Sequence, residues 1–155
     1  MDNMGGLRKL YYILADDIQE FVLSGTNTYS LVFAEGKSWN EIIFTQESGR
    51  FSETEEMTDN GLAYNYEVSC RVPRISPDSI SLFGDLRLKE LLILVEDNNG
   101  YFWITGRPGT WFNIMISSDT GENIQDRNSR QLRISAQLPE ASIYSADPFT
   151  NHALA

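Results

Sequence analysis

The chain predicts a mainly β protein, an antiparallel β-sandwich or barrel with one short flanking helix. Three observations predict it. Short β-branched and aromatic runs recur between clusters of turn formers along most of the sequence. One of them, Leu62 to Val72, alternates without a break, and only "ISPDSISLFGDLRLKE" carries helix signals. At 155 residues the chain suits a single β domain over 1–155, with about 145–155 as an extended C-terminal tail.

The elements follow in order. After Gly5-Gly6, "LRKLYYILADDI" is aliphatic and aromatic for a strand's length and then turns acidic. "SGTNTYS" is rich in turn formers and reads as a loop. "NEIIFTQ" reads as a short strand ending near Gln46, followed by an acidic stretch that Asn60-Gly61 closes as a hairpin turn. In the long strand, Leu62, Tyr64, Tyr66, Val68, Cys70 and Val72 share the buried face. Ala63, Asn65, Glu67, Ser69 and Arg71 share the solvated one, and Pro73 ends the strand.

For the helix, Ser76 can cap, Pro77 suits the first position, Asp78 suits the first turn, and Gly84 limits it to a couple of turns. "LLILVE" is apolar without alternation, as expected of a strand covered on both faces. "DNNG" turns it into "YFWITG", which makes Leu91 to Thr105 a hairpin. "RPGT" is a turn and "WFNIMIS" a strand. "SDTGENIQDRNS" is a polar loop and "RQLRISAQLP" the last alternating strand. "EASIYSADPFTNHALA" shows no period.

The formal charge of −10 argues against binding nucleic acid through phosphate neutralisation, which needs a Lys/Arg surface. A single cysteine excludes an internal disulfide and any thiolate-rich zinc site. "MDNMGGLRKL" lacks the apolar run of a secretory signal, and no window approaches the roughly 18 apolar residues of a spanning helix. The expectation is a soluble protein made and used in a cytoplasm, with no membrane partner.

The candidate chemistries are weak. The acidic run holds Glu47, Glu53, Glu55, Glu56 and Asp59, with Arg50 the only nearby cation. Glu53 and Glu55 share a strand face about 7 Å apart, but nothing local would bury them as a glycosidase pair requires. A solvated charged surface is the simpler reading. "DTGENIQDRN" offers oxygen ligands, yet Gly121 stands where an EF-hand needs its second acid. His152 sits in the tail without a plausible triad, Cys70 lies on an apolar strand face, and no phosphate-binding glycine pattern is present. The residues do not amount to an active site, and no cofactor or metal is implied. Trp39, Trp103 and Trp111 leave a carbohydrate- or host-surface-binding β-sandwich module open as an alternative.

The order of the segments resembles a family. "GGLRKLYYILADDI", "KSWNEIIFTQESGRFSETEEMTDNGLAYNYEVSCRVP", "LLILVEDNNGYFWITGRPG" and "SSDTGENIQDRNSRQLRISAQLPEASIY" resemble small virion proteins of tailed phages and prophages of Bacteroides-like bacteria. The resemblance rests on Trp39 to Thr45, Phe51 to Glu53, Asp97 to Gly100 and Thr120 to Asn128, and it spans nearly the whole chain. The departure is "FTQES", where the family pattern has a glycine- and proline-containing turn.

The resemblance implies a non-enzymatic structural part of the tail or neck: a tube, connector-ring or tail-completion protein located in the virion and assembled in the host cytoplasm. Its expected partners are copies of itself in a ring and neighbouring tail, neck or portal-associated proteins. Genomic DNA would pass through the lumen without specific binding. A prophage-derived secretion-tube component is a further alternative. On this reading Glu47, Arg50, Glu53, Glu55, Glu56 and Asp59 form a lumen-facing or inter-subunit surface. Asp126, Arg127 and Asn128 fix a loop or contact a neighbouring subunit.

Overall fold

The computed structural model describes residues 6–25, 28–45, 48–72, 84–119, 129–139, 142–145 and 148–149, with the backbone alone at 23–25, 28, 118–119 and 129–130. Its strands are β1 (Leu7–Leu14), β2 (Ile18–Gly25), β3 (Thr28–Phe33), β4 (Asn40–Ile42), β5 (Arg50–Thr58) and β6 (Gly61–Val72). There follow β7 (Leu91–Asp97), β8 (Phe102–Thr105), β9 (Asn113–Asp119), β10 (Ser129–Leu138) and β11 (Ile143–Ser145). A 3₁₀ turn, Ala15–Asp17, joins β1 to β2.

These strands form three antiparallel sheets. The five-stranded sheet has the order β11-β8-β7-β1-β4, the four-stranded sheet β5-β6-β10-β9, and β2 pairs with β3 alone. The five-stranded sheet ends in open edges at β11 and β4, so the architecture is sandwich-like and not a closed barrel.

Side-chain alternation explains the layering. Leu10 on β1 and Leu91, Ile93 and Val95 on β7 pack against Val68 and Cys70 of β6 and Leu132 and Ile134 of β10. The opposite faces of the same strands, Tyr11, Ile13, Leu92 and Leu94, pack under Tyr29, Leu31 and Phe33 of β3. The five-stranded sheet is therefore the middle layer. That is why β7 reads "LLILV" without a polar alternate. Each of those five side chains is fully buried, stabilising the fold by roughly 1.5–3 kcal/mol apiece.

A bulge puts Leu7 on the same face of β1 as Leu10, three residues on. Leu7 pairs with Asp97 and Lys9 with Glu96, which leaves Arg8 as the extra residue. The Arg8 guanidinium reaches Glu96 Oε1 at 3.3 Å and donates to the Asn98 carbonyl at 3.1 Å.

Four expectations need correction. "SGTNTYS" is not a loop throughout, because Ser24 and Gly25 belong to β2 and Thr28, Tyr29 and Ser30 to β3. The turn of the β5–β6 hairpin is Asp59-Asn60, with Gly61 already paired to Thr58, one residue earlier than Asn60-Gly61. Gly84 does not stop the helix, since it is itself helical, as are Asp85 and the buried Leu86. "RQLRISAQLP" is not the last strand. Residues 143–145 add β11 to the edge of β8, and Trp39 Nε1 donates to the Pro148 carbonyl at 2.8 Å. The helix-start residues Ser76, Pro77 and Asp78 and the loop 120–128 lie outside the described residues.

Candidate functional site

The β5–β6 hairpin carries the acidic run. Its register extends from Arg50↔Ser69 to Thr58↔Gly61. The turn is closed by Thr58 Oγ1, which donates to the Gly61 carbonyl at 2.7 Å and accepts from the Asn60 amide at 3.3 Å. Gly61 has φ 113°, a conformation that favours glycine. Phe51 and Val68 are the last pair of the hairpin to join the main core. β10 accompanies β6 only as far as Tyr64, so residues 56–63 project as a bare two-stranded ribbon about 10 Å long. At its tip Met57 is 76% exposed and Leu62 42%.

Strand parity divides the carboxylates. Glu53 faces inward opposite Tyr66 and Glu55 opposite Tyr64, while Glu56 lies on the outer face opposite Ala63. Glu53 is heavily engaged. Its Oε1 accepts from the Tyr66 hydroxyl at 3.1 Å and the Ser142 amide at 3.2 Å, and its Oε2 from the Ser142 hydroxyl at 2.8 Å. It thus ties the hairpin to the chain entering β11. Glu56 Oε2 accepts from Asn65 Nδ2 at 2.8 Å and Gln137 Nε2 at 3.2 Å, spanning β5, β6 and β10. Glu55 and Asp59 make no side-chain hydrogen bond or ion pair among the described residues, and both are exposed.

Among the described residues, no strand pairs with the outer edge of β5. The Arg71 amide and carbonyl bond Ser48 Oγ and the Thr45 amide on the β5 side, so the odd residues of β6 point toward β5. In an antiparallel ladder this turns the backbone groups of Phe51, Glu53, Glu55 and Met57 outward, away from β6. Exposed charges along such an edge deter casual pairing. At the far edge of the same sheet, Arg87 Nε donates to the outward Ile114 carbonyl at 2.8 Å.

The outer face of the four-stranded sheet brings Arg50, already a candidate, beside Ser69 and Arg71, expected on a solvated face, and Arg133, which sequence reasoning did not single out. Arg50, Ser69 and Arg133 form one cross-strand row, and Arg71 follows two residues beyond Ser69. Arg133 Nε pairs with Glu67 Oε1 at 3.0 Å. A hollow of about 180 Å³ opens between Arg50, Ser52, Glu67, Ser69 and Arg133.

The tryptophans share no platform. Trp39 is buried beneath β3 and Trp103 packs on the opposite face of the middle sheet, its Nε1 donating to Asp97 Oδ2 at 3.2 Å. Trp111 is exposed beside Leu14, Leu88 and Lys89. Burial pushes the Cys70 thiol up to about 12. Burial first, then Glu53, raises the Tyr66 phenol well above its ordinary 10.0.

Of the residues expected to act together, Arg50, Glu53, Glu55, Glu56 and Asp59 share this hairpin, but they divide between its two faces and its tip. Glu47, Asp126, Arg127 and Asn128 lie outside the described residues. Among the described residues no group of three or more His, Cys, Asp or Glu is placed to hold a metal ion. No described helix is long and apolar enough to cross a membrane. Compared with models of known protein families, with curated proteins and with solved structures, the chain has no match in any of the three.

Proposed function

We propose that the protein is a non-enzymatic virion structural subunit, a tail or neck ring or tube component that assembles with copies of itself around the DNA channel of a tailed phage. The observation that carries the reading is the projecting β5–β6 ribbon, an acidic two-stranded arm whose outer edge pairs with no described strand and whose tip exposes Met57 and Leu62. An arm that contributes nothing to the core has its use outside the chain. Along with it go the net charge of −10, which repels a passing polyanion, and the sequence resemblance to small phage virion proteins.

Within a ring the carboxylates have two available roles, lining the lumen or meeting a neighbouring subunit. Glu53 belongs to neither set, because it anchors Ser142. The test neutralises the others: Glu55→Gln, Glu56→Gln and Asp59→Asn together. Rings that still form but eject DNA more slowly assign the arm to the lumen. Rings that fail to form, from a protein that melts normally, assign it to a contact. Negative-stain imaging of the unmodified protein is expected to show closed rings or stacked tubes. A monomer that binds glycans instead would overturn the reading in favour of a host-surface module.

A further inference from the structure

The outer face of the four-stranded sheet separates its charges. Arg50, Arg71 and Arg133 come from three different strands and surround Ser69 at one end. Glu56 lies six residues from Arg50 along β5, about 20 Å away, with Asp59 beyond it at the turn. Among the described side chains, only Glu67, paired to Arg133, offsets the three guanidiniums. Arg50 and Arg71 pair with no carboxylate among the described residues. A basic end is unexpected on a chain of net charge −10.

The two ends cannot meet within one molecule. Nine register pairs without a shift make the ribbon a continuation of the strands that carry Arg50 and Arg71, so its tip points away from them. We propose that the arginine end of one copy is the docking site for the acidic ribbon tip of a second copy, with Glu55 and Asp59 entering between Arg50, Arg71 and Arg133. The hollow of about 180 Å³ beside Ser52 and Ser69 has room for such side chains, being the share of roughly six liquid waters. Guanidinium and carboxylate pair well in this geometry. The contact joins different surfaces of two copies, so it propagates head to tail and closes into a ring or runs on as a filament. This rests on the reading of the protein as a self-associating subunit and names the surface that receives the arm. A nucleic acid is the lesser candidate for the arginines, since the rest of the chain repels phosphate.

Charge reversal with complementation tests it. Two variants of the full chain are prepared, Arg50→Glu/Arg71→Glu and Glu55→Lys/Asp59→Lys, with circular dichroism confirming that each is folded. Sedimentation velocity measures association. The unmodified protein is expected to associate and to weaken at least roughly tenfold between about 50 and about 500 mM salt. Each variant alone should associate at least roughly tenfold more weakly. An equimolar mixture should recover association, because the reversed tip of one then fits the reversed patch of the other.

Variants that assemble like the unmodified protein overturn this contact while leaving the subunit reading intact. So does a mixture of folded variants that stays apart. An unmodified protein that stays monomeric at every salt concentration, and with its neighbours present, overturns both. Retention of duplex DNA that the arginine reversal abolishes, without any change in association, assigns the patch to a polyanion and overturns the proposal.

Discussion

The hydroxyl of Tyr66 donates to Oε1 of Glu53 at 3.1 Å, across a pair that lies beyond the last core contact of the β5–β6 hairpin. Tyr66 is almost fully buried, and this bond ties its side chain to β5. Glu53→Ala should remove the acceptor shared by Tyr66 and Ser142, destabilising the protein by about 1–3 kcal/mol. Urea denaturation measures the loss. A double-mutant cycle with Tyr66→Phe should return a coupling of at least about 0.5 kcal/mol. Strict additivity would mean that the two groups do not depend on one another.

Thr105 shows the converse arrangement. It is 1% exposed on β8 opposite Ile93, and its Oγ1 has no hydrogen-bond partner among the described residues. A buried hydroxyl without a partner costs free energy that an isosteric methyl does not. Thr105→Val should therefore raise stability by about 1 kcal/mol, or about 2–4 °C in Tm for a chain of this length. A drop in Tm would mean that the hydroxyl is satisfied in solution.

Much of this layout was legible in the sequence where one physical condition governed a whole strand. β6 alternates because one face meets the core and the other meets water, and Tyr66, Val68, Cys70 and Val72 lie buried as the period requires, whereas Leu62 and Tyr64, expected on the same buried face, are exposed and half-buried where the strand leaves the core. β7 is uniformly apolar because it is covered twice. The β2–β3 hairpin was not legible. β2 ends and β3 begins among the turn formers Ser24, Gly25 and Thr28, and the pair covers the far face of a sheet whose layering is a tertiary fact. Ile143–Ser145 is too short to show a period and is placed by pairing with β8. The acidic arm could be located from its charges, and parity put Glu53 and Glu55 on one face. That Glu53 is held by Ser142, 89 positions away, was beyond any local pattern. The arginine end depends on the registers of β5, β6 and β10 together, which bring residues 50, 71 and 133 into adjacent rows.

Gly49 marks the entry into β5 and leaves no room for a side chain. A Cβ there would lie 2.7 Å from Phe44 Cε2 and 2.9 Å from Leu7 Cβ, both in the main core. The Gly49 carbonyl also accepts the Leu7 amide at 3.1 Å, which fixes the backbone against withdrawal. Gly49→Ala should cost about 1–3 kcal/mol through overpacking. If the arm is independent of the core, the same variant should leave the register of residues 56–63 unchanged in amide exchange. Loss of protection confined to the ribbon would contradict that separation.

Cys70 sets the behaviour of the fold in alkali. Its side chain is fully buried between the two larger sheets, and desolvation raises the thiol from an ordinary 9.0 to about 12. Folding holds the group neutral in a range where the unfolded chain ionises it. The stabilisation is complete below pH 9 and is lost as pH rises from 9 through 12, with a slope approaching about 1.4 kcal/mol per pH unit. Tyr66, Tyr11 and Tyr12 are raised above 10.0 chiefly by burial, so they join the decline only from about pH 10. Between pH 9 and 10 the decline should belong mainly to the thiol. Cys70→Ala should begin less stable, by about 1 kcal/mol for a small cavity, yet show a flatter urea midpoint across that interval. The unmodified protein should also react with a thiol reagent at pH 8 only at its unfolding rate. Rapid labelling of the folded chain, or an unchanged slope in the alanine variant, would refute this assignment.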